Sequence, residues 1–326
     1  MHPEVSVIIP AYNVQYHILS TINSVLSQDY PKEKVEIIVI NDGSTDNTAG
    51  ILFGIDDSRV KIINKENGGV SSARNLGLLH AEGKFVSFLD GDDIWSSNFL
   101  REMMKYISEN NCRAIGCLFN METDGFTTPK KTKLPVDNDF YLWYFSTIGM
   151  TINTNSWLIE KNIINTNNII FTDGCDFGED TEFFSKVIIK AGAGKFGVLN
   201  QYLTTYRQRK GSLTEPGEVM SILKKKMYFH AYSRTLEYMT LSNASDRVIK
   251  SFKKKFYLIY IVYLSSTLLK NSKNDYKSLK KMFIKDVTNE TVSKPNNILG
   301  RFIVRRTMIK LDWLFLILTR FNKHEV

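Results

Sequence analysis

Residues 1–110 alternate two spacings of hydrophobic positions. Short β-branched or aromatic runs fall at 5–9 (VSVII), 36–40 (EIIVI), 59–63 (RVKII) and 84–89 (KFVSFL). Runs this apolar suit parallel strands covered on both faces. Between them the spacing turns helical. Ile18, Ile22, Val25 and Leu26 share one face of a first helix, STDNTAGIL opens a second with Ser44 or Thr45 as its cap, and VSSARNLGLLHA forms a third. This alternation predicts an α/β fold with a doubly wound, mostly parallel, Rossmann-like sheet. Such sheets bind ligands beyond the carboxyl ends of their strands. Each predicted strand ends in polar residues able to contact a ligand there, namely Tyr12 and Asn13, Asn41 and Asp42, residues 65–69, and residues 90–93.

The pattern loosens over residues 111–216, where EDTEFFSKVIIKAGA reads as a helix and KFGVLNQYLTTYRQR as a strand. Beyond Pro216 it becomes long helical stretches near 217–242, 246–270, 275–287 and 298–321. We therefore divide the chain into an α/β domain, 1–216, and a C-terminal helical domain, 217–326. Charge divides at the same place. The first part holds 20 Lys/Arg against 26 Asp/Glu, a net of −6, and the second holds 22 against 8, a net of +14. A basic appendage on an acidic domain points to an anionic surface, membrane or nucleic acid, or simply to a solvated helical face. The apolar run at 256–269 has 14 residues, short of the ~20 a spanning helix needs, and suits a buried core helix. The last stretch sets Arg301, Arg305 and Arg306 beside Phe302, Trp313 and Phe315. That mixture suits a helix lying in a membrane interface; core packing and a partner's groove are the alternatives. Three cysteines without a CxxC pair argue against a disulfide framework or zinc site, and the N-terminus lacks a secretory pattern. Both suggest a cytoplasmic protein.

The fourth strand ends in Asp90-Gly91-Asp92-Asp93. Carboxylates crowded at the end of an apolar strand repel each other and resist desolvation. A hard divalent cation, Mg²⁺ or Mn²⁺, offsets that cost, since it is held by one or two carboxylates plus substrate phosphates. Alone, such a string also arises from turn and cap aspartates. Its company is more specific: VSVIIPAYN, VINDGSTDNT, ENGGVSSARNLGL and FLDGDD follow one another at the ends of successive strands. With these motifs the chain resembles the inverting, nucleotide-sugar-dependent glycosyltransferases of family 2, which have the GT-A fold. The likeness is strong over residues 4–100 and continues more loosely to about 215, through GEDTEF and YRQRKGSLT, but does not cover the basic tail.

The resemblance implies a UDP-sugar donor, an acceptor hydroxyl and a Mn²⁺ or Mg²⁺ cofactor. It implies that Pro10, Tyr12 and Asn13 pack on the nucleotide base, that Asp42 accepts from uracil N3–H, and that Asp90 meets the ribose or a metal-bound water. Asp92 is then the metal ligand, with Asp93 capping the next turn. Arg74 either organises the carboxylates by pairing with Asp90 or reaches the donor. Asp180, in GEDTEF, is implied as the base, in preference to Glu179. The segment Tyr206–Ser212 resembles the loop that closes over the diphosphate, with Arg207, Arg209 and Ser212 each a candidate donor to its oxygens and the choice among them open; otherwise it reads as a solvated surface loop.

Other functions fit less well. A nicotinamide enzyme needs GxGxxG after the first strand, where this chain has Pro-Ala-Tyr-Asn. The basic tail carries no recognised nucleic-acid reader motif, and a nucleotidyltransferase would leave Asp180 idle. The expectation is a peripheral enzyme on the inner face of a bacterial plasma membrane, extending a lipid-linked or growing surface polysaccharide. A soluble polymer or protein acceptor is the alternative, and self-association through the tail stays open.

Overall fold

The structure, a computed structural model, describes residues 2–147, 152–209, 221–269, 277–278 and 280–281. In chain order the elements are β1 (Val5–Ala11), α1 (Ile18–Leu26), β2 (Val35–Asp42), α2 (Thr48–Phe53), β3 (Val60–Lys65), α3 (Gly69–His80), β4 (Phe85–Phe88), β5 (Ile94–Trp95) and α4 (Phe99–Asn110). There follow β6 (Ala114–Thr123), β7 (Phe126–Pro129), α5 (Phe140–Ser146), β8 (Trp157–Glu160), α6 (Lys161–Thr166), α7 (Glu179–Ala191), β9 (Phe196–Gln208), α8 (Ile222–Leu241) and α9 (Asp246–Leu269).

Among the described residues the strands form one nine-stranded sheet in the order β3-β2-β1-β4-β8-β6-β9-β5, with β7 paired to β6. β1 pairs in parallel with β2 and β4, and β2 with β3. β8 inserts antiparallel between β4 and β6, while β6 and β9 are again parallel. The chain thus winds outward from β1 to β3 and returns to β4 on the other side of β1. The strand order therefore reverses between β1 and β4, and in sheets of this kind the ligand site lies beyond the strand ends at such a switch point.

Period-two side-chain alternation explains why these strands are apolar throughout. Val7, Ile9, Ile37 and Val39 face a core with Ile18 and Ile22 of α1 and Met103 of α4. Ile8, Ile38 and Ile40 face the opposite core with Ala73 of α3. That second core continues through Trp143 of α5, Trp157, Phe183 and Phe184 of α7, Phe229 and Tyr232 of α8, and Phe252 and Phe256 of α9.

α8 and α9 fall within the predicted 217–242 and 246–270 stretches, and the 256–269 run lies in α9, with Phe256, Ile259 and Tyr260 buried. They share one core with the α/β elements. No helix among the described residues is long and apolar enough to cross a membrane. The 298–321 stretch and Ser212 lie outside the described residues, and of 275–287 only 277–278 and 280–281 lie within them. α2 starts at Thr48, later than a Ser44 or Thr45 cap requires. Those two residues serve the neighbouring loop instead: Asn13 N–H donates to Ser44 Oγ at 3.1 Å, and Thr45 N–H donates to Asn13 Oδ1 at 2.8 Å.

Candidate active site

The ends of the four parallel strands β1 to β4 lie side by side, each locally braced. Near the end of β1 Pro10 is buried; past the strand Tyr12 is 46% exposed, and Asn13 takes a left-handed φ of 51° that turns its side chain toward the β2 loop. After β2, Asp42 is buried and accepts from Lys65 Nζ at 2.5 Å, Gly68 N–H at 2.9 Å and Gly69 N–H at 2.9 Å. In this state the carboxylate pins the turn that enters α3.

The three aspartates after β4 occupy three different environments. Asp90 Oδ1 accepts from Arg74 Nη2 at 2.8 Å, and its backbone N–H donates to Asn155 Oδ1 at 2.7 Å. Asp92 Oδ2 accepts from Arg209 Nε at 2.6 Å. Asp93 is fully buried, and its carboxylate accepts from Arg207 N–H at 2.6 Å and from Asn155 Nδ2 instead of capping the turn that follows. Burial, then the charges of Asp92 and Asp90, push its carboxyl well above the ordinary range, opposed by those two hydrogen bonds. Gly91 does not take a left-handed φ. It allows close approach: a Cβ there would stand 3.0 Å from the Pro10 carbonyl oxygen.

Arg74, buried on α3, carries the site across to α7. Its Nη2 holds Asp90, its Nη1 donates to Glu179 Oε1 at 3.0 Å, and its guanidinium lies 5.2 Å over the Phe171 ring. Burial alone would lower its pKa, but Asp90 and Glu179 outweigh it and raise the value. Glu179 is pushed up to about 7 by burial and by Asp180, with Arg74 opposing. Asp180 is half-buried on the first turn of α7, where the helix dipole favours negative charge. Its Oδ1 accepts from Thr181 N–H at 2.6 Å. Gly178, before it, has a φ of +89°, and a Cβ there would lie 2.8 Å from Tyr228 Cδ2 of α8.

Of the residues named from sequence, the structure brings Asp90, Arg74 and the neighbour of Asp180 into one ion-paired chain. It sets Asp92 with Arg209, and Asp93 with Arg207. Arg207 also donates from Nη1 to Ser20 Oγ at 3.0 Å and lies 3.6 Å from Glu122. Asn155 was missed. It precedes β8, is buried, and joins Asp90 to Asp93. Its sequence signal is only a polar run, NTNS, before Trp157.

Among the described residues no three or more His, Cys, Asp or Glu side chains form a ready-made metal cage. A hard cation shared with substrate phosphates does not need one. Asp92 fits that use, because of its two carboxylate oxygens only Oδ2 is engaged among the described residues, and by a cation.

The family model for glycosyl transferase family 2 matches residues 6–177. The chain belongs to that family. The family 2 match begins in β1 and stops just before the Glu179–Asp180 pair. The glycosyltransferase EpsJ of Bacillus subtilis is 30% identical over 233 residues, 66% of this chain and 64% of EpsJ. WfgD of Escherichia coli, named as a UDP-Glc:alpha-D-GlcNAc-diphosphoundecaprenol beta-1,3-glucosyltransferase, is 41% identical over 108 residues. Those residues are 33% of this chain and 42% of WfgD, so the chain spans under two thirds of both relatives. Among solved structures, Staphylococcus aureus TarS in complex with UDP-GlcNAc aligns with a TM-score of 0.71 at 22% identity, covering 87% of this chain and 81% of that one. The fold is thus the GT-A α/β fold expected, with helices after it.

Proposed function

We propose that this family 2 glycosyltransferase moves a sugar from a UDP-sugar to an acceptor hydroxyl with inversion, and that the acceptor is a lipid-linked or growing surface polysaccharide. The observation that carries the reading is the Asp90–Arg74–Glu179 chain, which fixes the acidic end of β4 against the acidic first turn of α7. One end suits the donor and the other suits the base.

Tyr12, Pro10 and Asn13 border the place for the nucleotide. Asp42 has accepted three donors and keeps lone-pair capacity for a further one. Asp92 would hold Mn²⁺ or Mg²⁺, and the ion, when bound, neutralises charge on the leaving diphosphate. Asp180 takes the proton from the attacking hydroxyl oxygen. The anomeric carbon is attacked from the face opposite the departing UDP, through an oxocarbenium-like transition state. Glu179 suits the base less well, because it is buried and committed to Arg74. WfgD's diphosphoundecaprenol acceptor supports a lipid-linked acceptor here. The basic tail supports a peripheral place on the inner membrane face.

The test is a panel of UDP-sugars with Mn²⁺, scored for slow donor hydrolysis and then for transfer. Asp180→Asn should keep donor binding while turnover falls roughly 10²–10⁴-fold, the usual scale for losing a general base. Unchanged turnover would remove Asp180 from that role.

A further inference from the structure

Arg207 and Arg209 sit two residues apart at the end of β9 but are held differently. Arg207 is anchored by its own backbone, its N–H donating to buried Asp93 at 2.6 Å, and its side chain meets Ser20 and Glu122. Arg209 lies just past the strand and ends on a single carboxylate, Asp92, at 2.6 Å. The other two acids of that turn are already provided for. Arg74 neutralises Asp90, and Asp93 lies fully buried between Asn155 and the Arg207 amide. Asp92 is therefore the one member of the trio whose charge is met by a part-exposed, replaceable partner: the Asp92 side chain is 16% exposed and that of Arg209 is 26% exposed. Water reaches both partners of this pair, so it is screened more, and exchanged more readily, than the buried Arg74 pairs.

We propose, building on the donor and metal reading above, that Arg209 is a resident counter-ion that occupies the divalent cation's place on Asp92 until the donor's diphosphate draws it away. Guanidinium and metal compete for the same oxygens. A diphosphate offers the displaced guanidinium a better, bidentate partner. The anchor at Arg207 lets Arg209 leave without unpairing β9. Metal and nucleotide then bind cooperatively, each favouring the state in which Arg209 has left Asp92, and the coupling is reciprocal.

The test measures Mn²⁺ binding by the full chain, by electron paramagnetic resonance, with and without UDP. Wild-type protein should bind Mn²⁺ weakly alone and about tenfold more tightly with UDP, within the usual range of coupling between sites. Arg209→Gln should tighten Mn²⁺ binding in the absence of UDP and shrink the coupling to the part that the diphosphate's own oxygens on the ion supply, with an unchanged melting temperature showing that it folds. Arg209→Lys, which keeps a charge but loses the planar fork, should fall between the two. Asp92→Asn should abolish Mn²⁺ binding in every case. If wild type shows the coupling and Arg209→Gln matches it, the counter-ion role is overturned while the donor reading stands. If wild-type protein takes up no Mn²⁺ even with UDP, the metal reading falls and this inference falls with it.

Discussion

Asn155 holds two strand-end aspartates at once, through Oδ1 to the Asp90 amide and Nδ2 to the Asp93 carboxylate. Replacing it with leucine, similar in volume but without either group, leaves the buried Asp93 carboxylate with the Arg207 amide alone and takes the partner from the part-buried Asp90 amide. Stability should fall by about 2–3 kcal/mol, the cost of leaving such groups unsatisfied, measured by urea unfolding. Metal-dependent UDP binding should weaken with it. Tyr12, Asp42, Asp90 and Asp92 were legible as polar residues at the ends of strands that hydrophobic spacing reveals. Asn155 was not. An asparagine in a polar run carries no mark of its partners, and these lie 62 and 65 positions away. Asp93 was legible as an acid but not as a buried one, since its neighbours in sequence point only to an exposed turn.

Among the elements, α9 brings a buried lysine into the core. Lys255 lies against Tyr144 of α5, with Nζ 3.3 Å from the Tyr144 carbonyl oxygen and 5.5 Å over its ring. Burial lowers its pKa from 10.5 to about 8, with Asp180 opposing. Between those two values the folded chain binds fewer protons than the unfolded chain, so this group makes stability rise with pH across that window. Below pH 8 the full burial cost applies. Lys255→Met should therefore be more stable than wild type at pH 7 by about 3 kcal/mol, from some two and a half pKa units. The gap should close as pH climbs toward 10.5, as thermal unfolding at stepped pH would show. A gap that does not change with pH would mean that the lysine stays charged in the fold without cost. Element legibility followed locality. β1 to β4 and the helices between them repeat a regular period, so neighbouring residues suffice to place them. β5 is two residues long, and β8 is four residues set antiparallel between strands far apart in sequence. Neither leaves enough periodicity to read.

On the scale of the whole molecule, α8 is clamped to α7. Glu182, nearly fully buried, accepts from Arg234 Nε and Nη2 at 2.9 and 2.6 Å and from Lys186 Nζ at 2.7 Å. The charge difference between the two parts of the chain was plain from composition, but this clamp and the shared aromatic core were not, because they depend on which helix faces meet. The tail beyond α9 keeps much of the +14 and is expected to attach the enzyme to anionic lipid. Full-length protein should co-sediment with phosphatidylglycerol vesicles in low salt, and a chain ending at residue 269 should remain in the supernatant. Equal co-sedimentation would assign the attachment to another surface.

Arg74 has a consequence for anyone recombining members of this family. The match to the family model ends at residue 177, yet the Arg74 guanidinium inside it draws half of its counter-charge from Glu179, just beyond. A hybrid joined at that seam, with the front of one enzyme grafted to the back of another, inherits the arginine from one parent and its acid from the other. Grafts that keep an acid at the Glu179 position should assemble, and those that lose it would bury a cation with half its counter-charge gone.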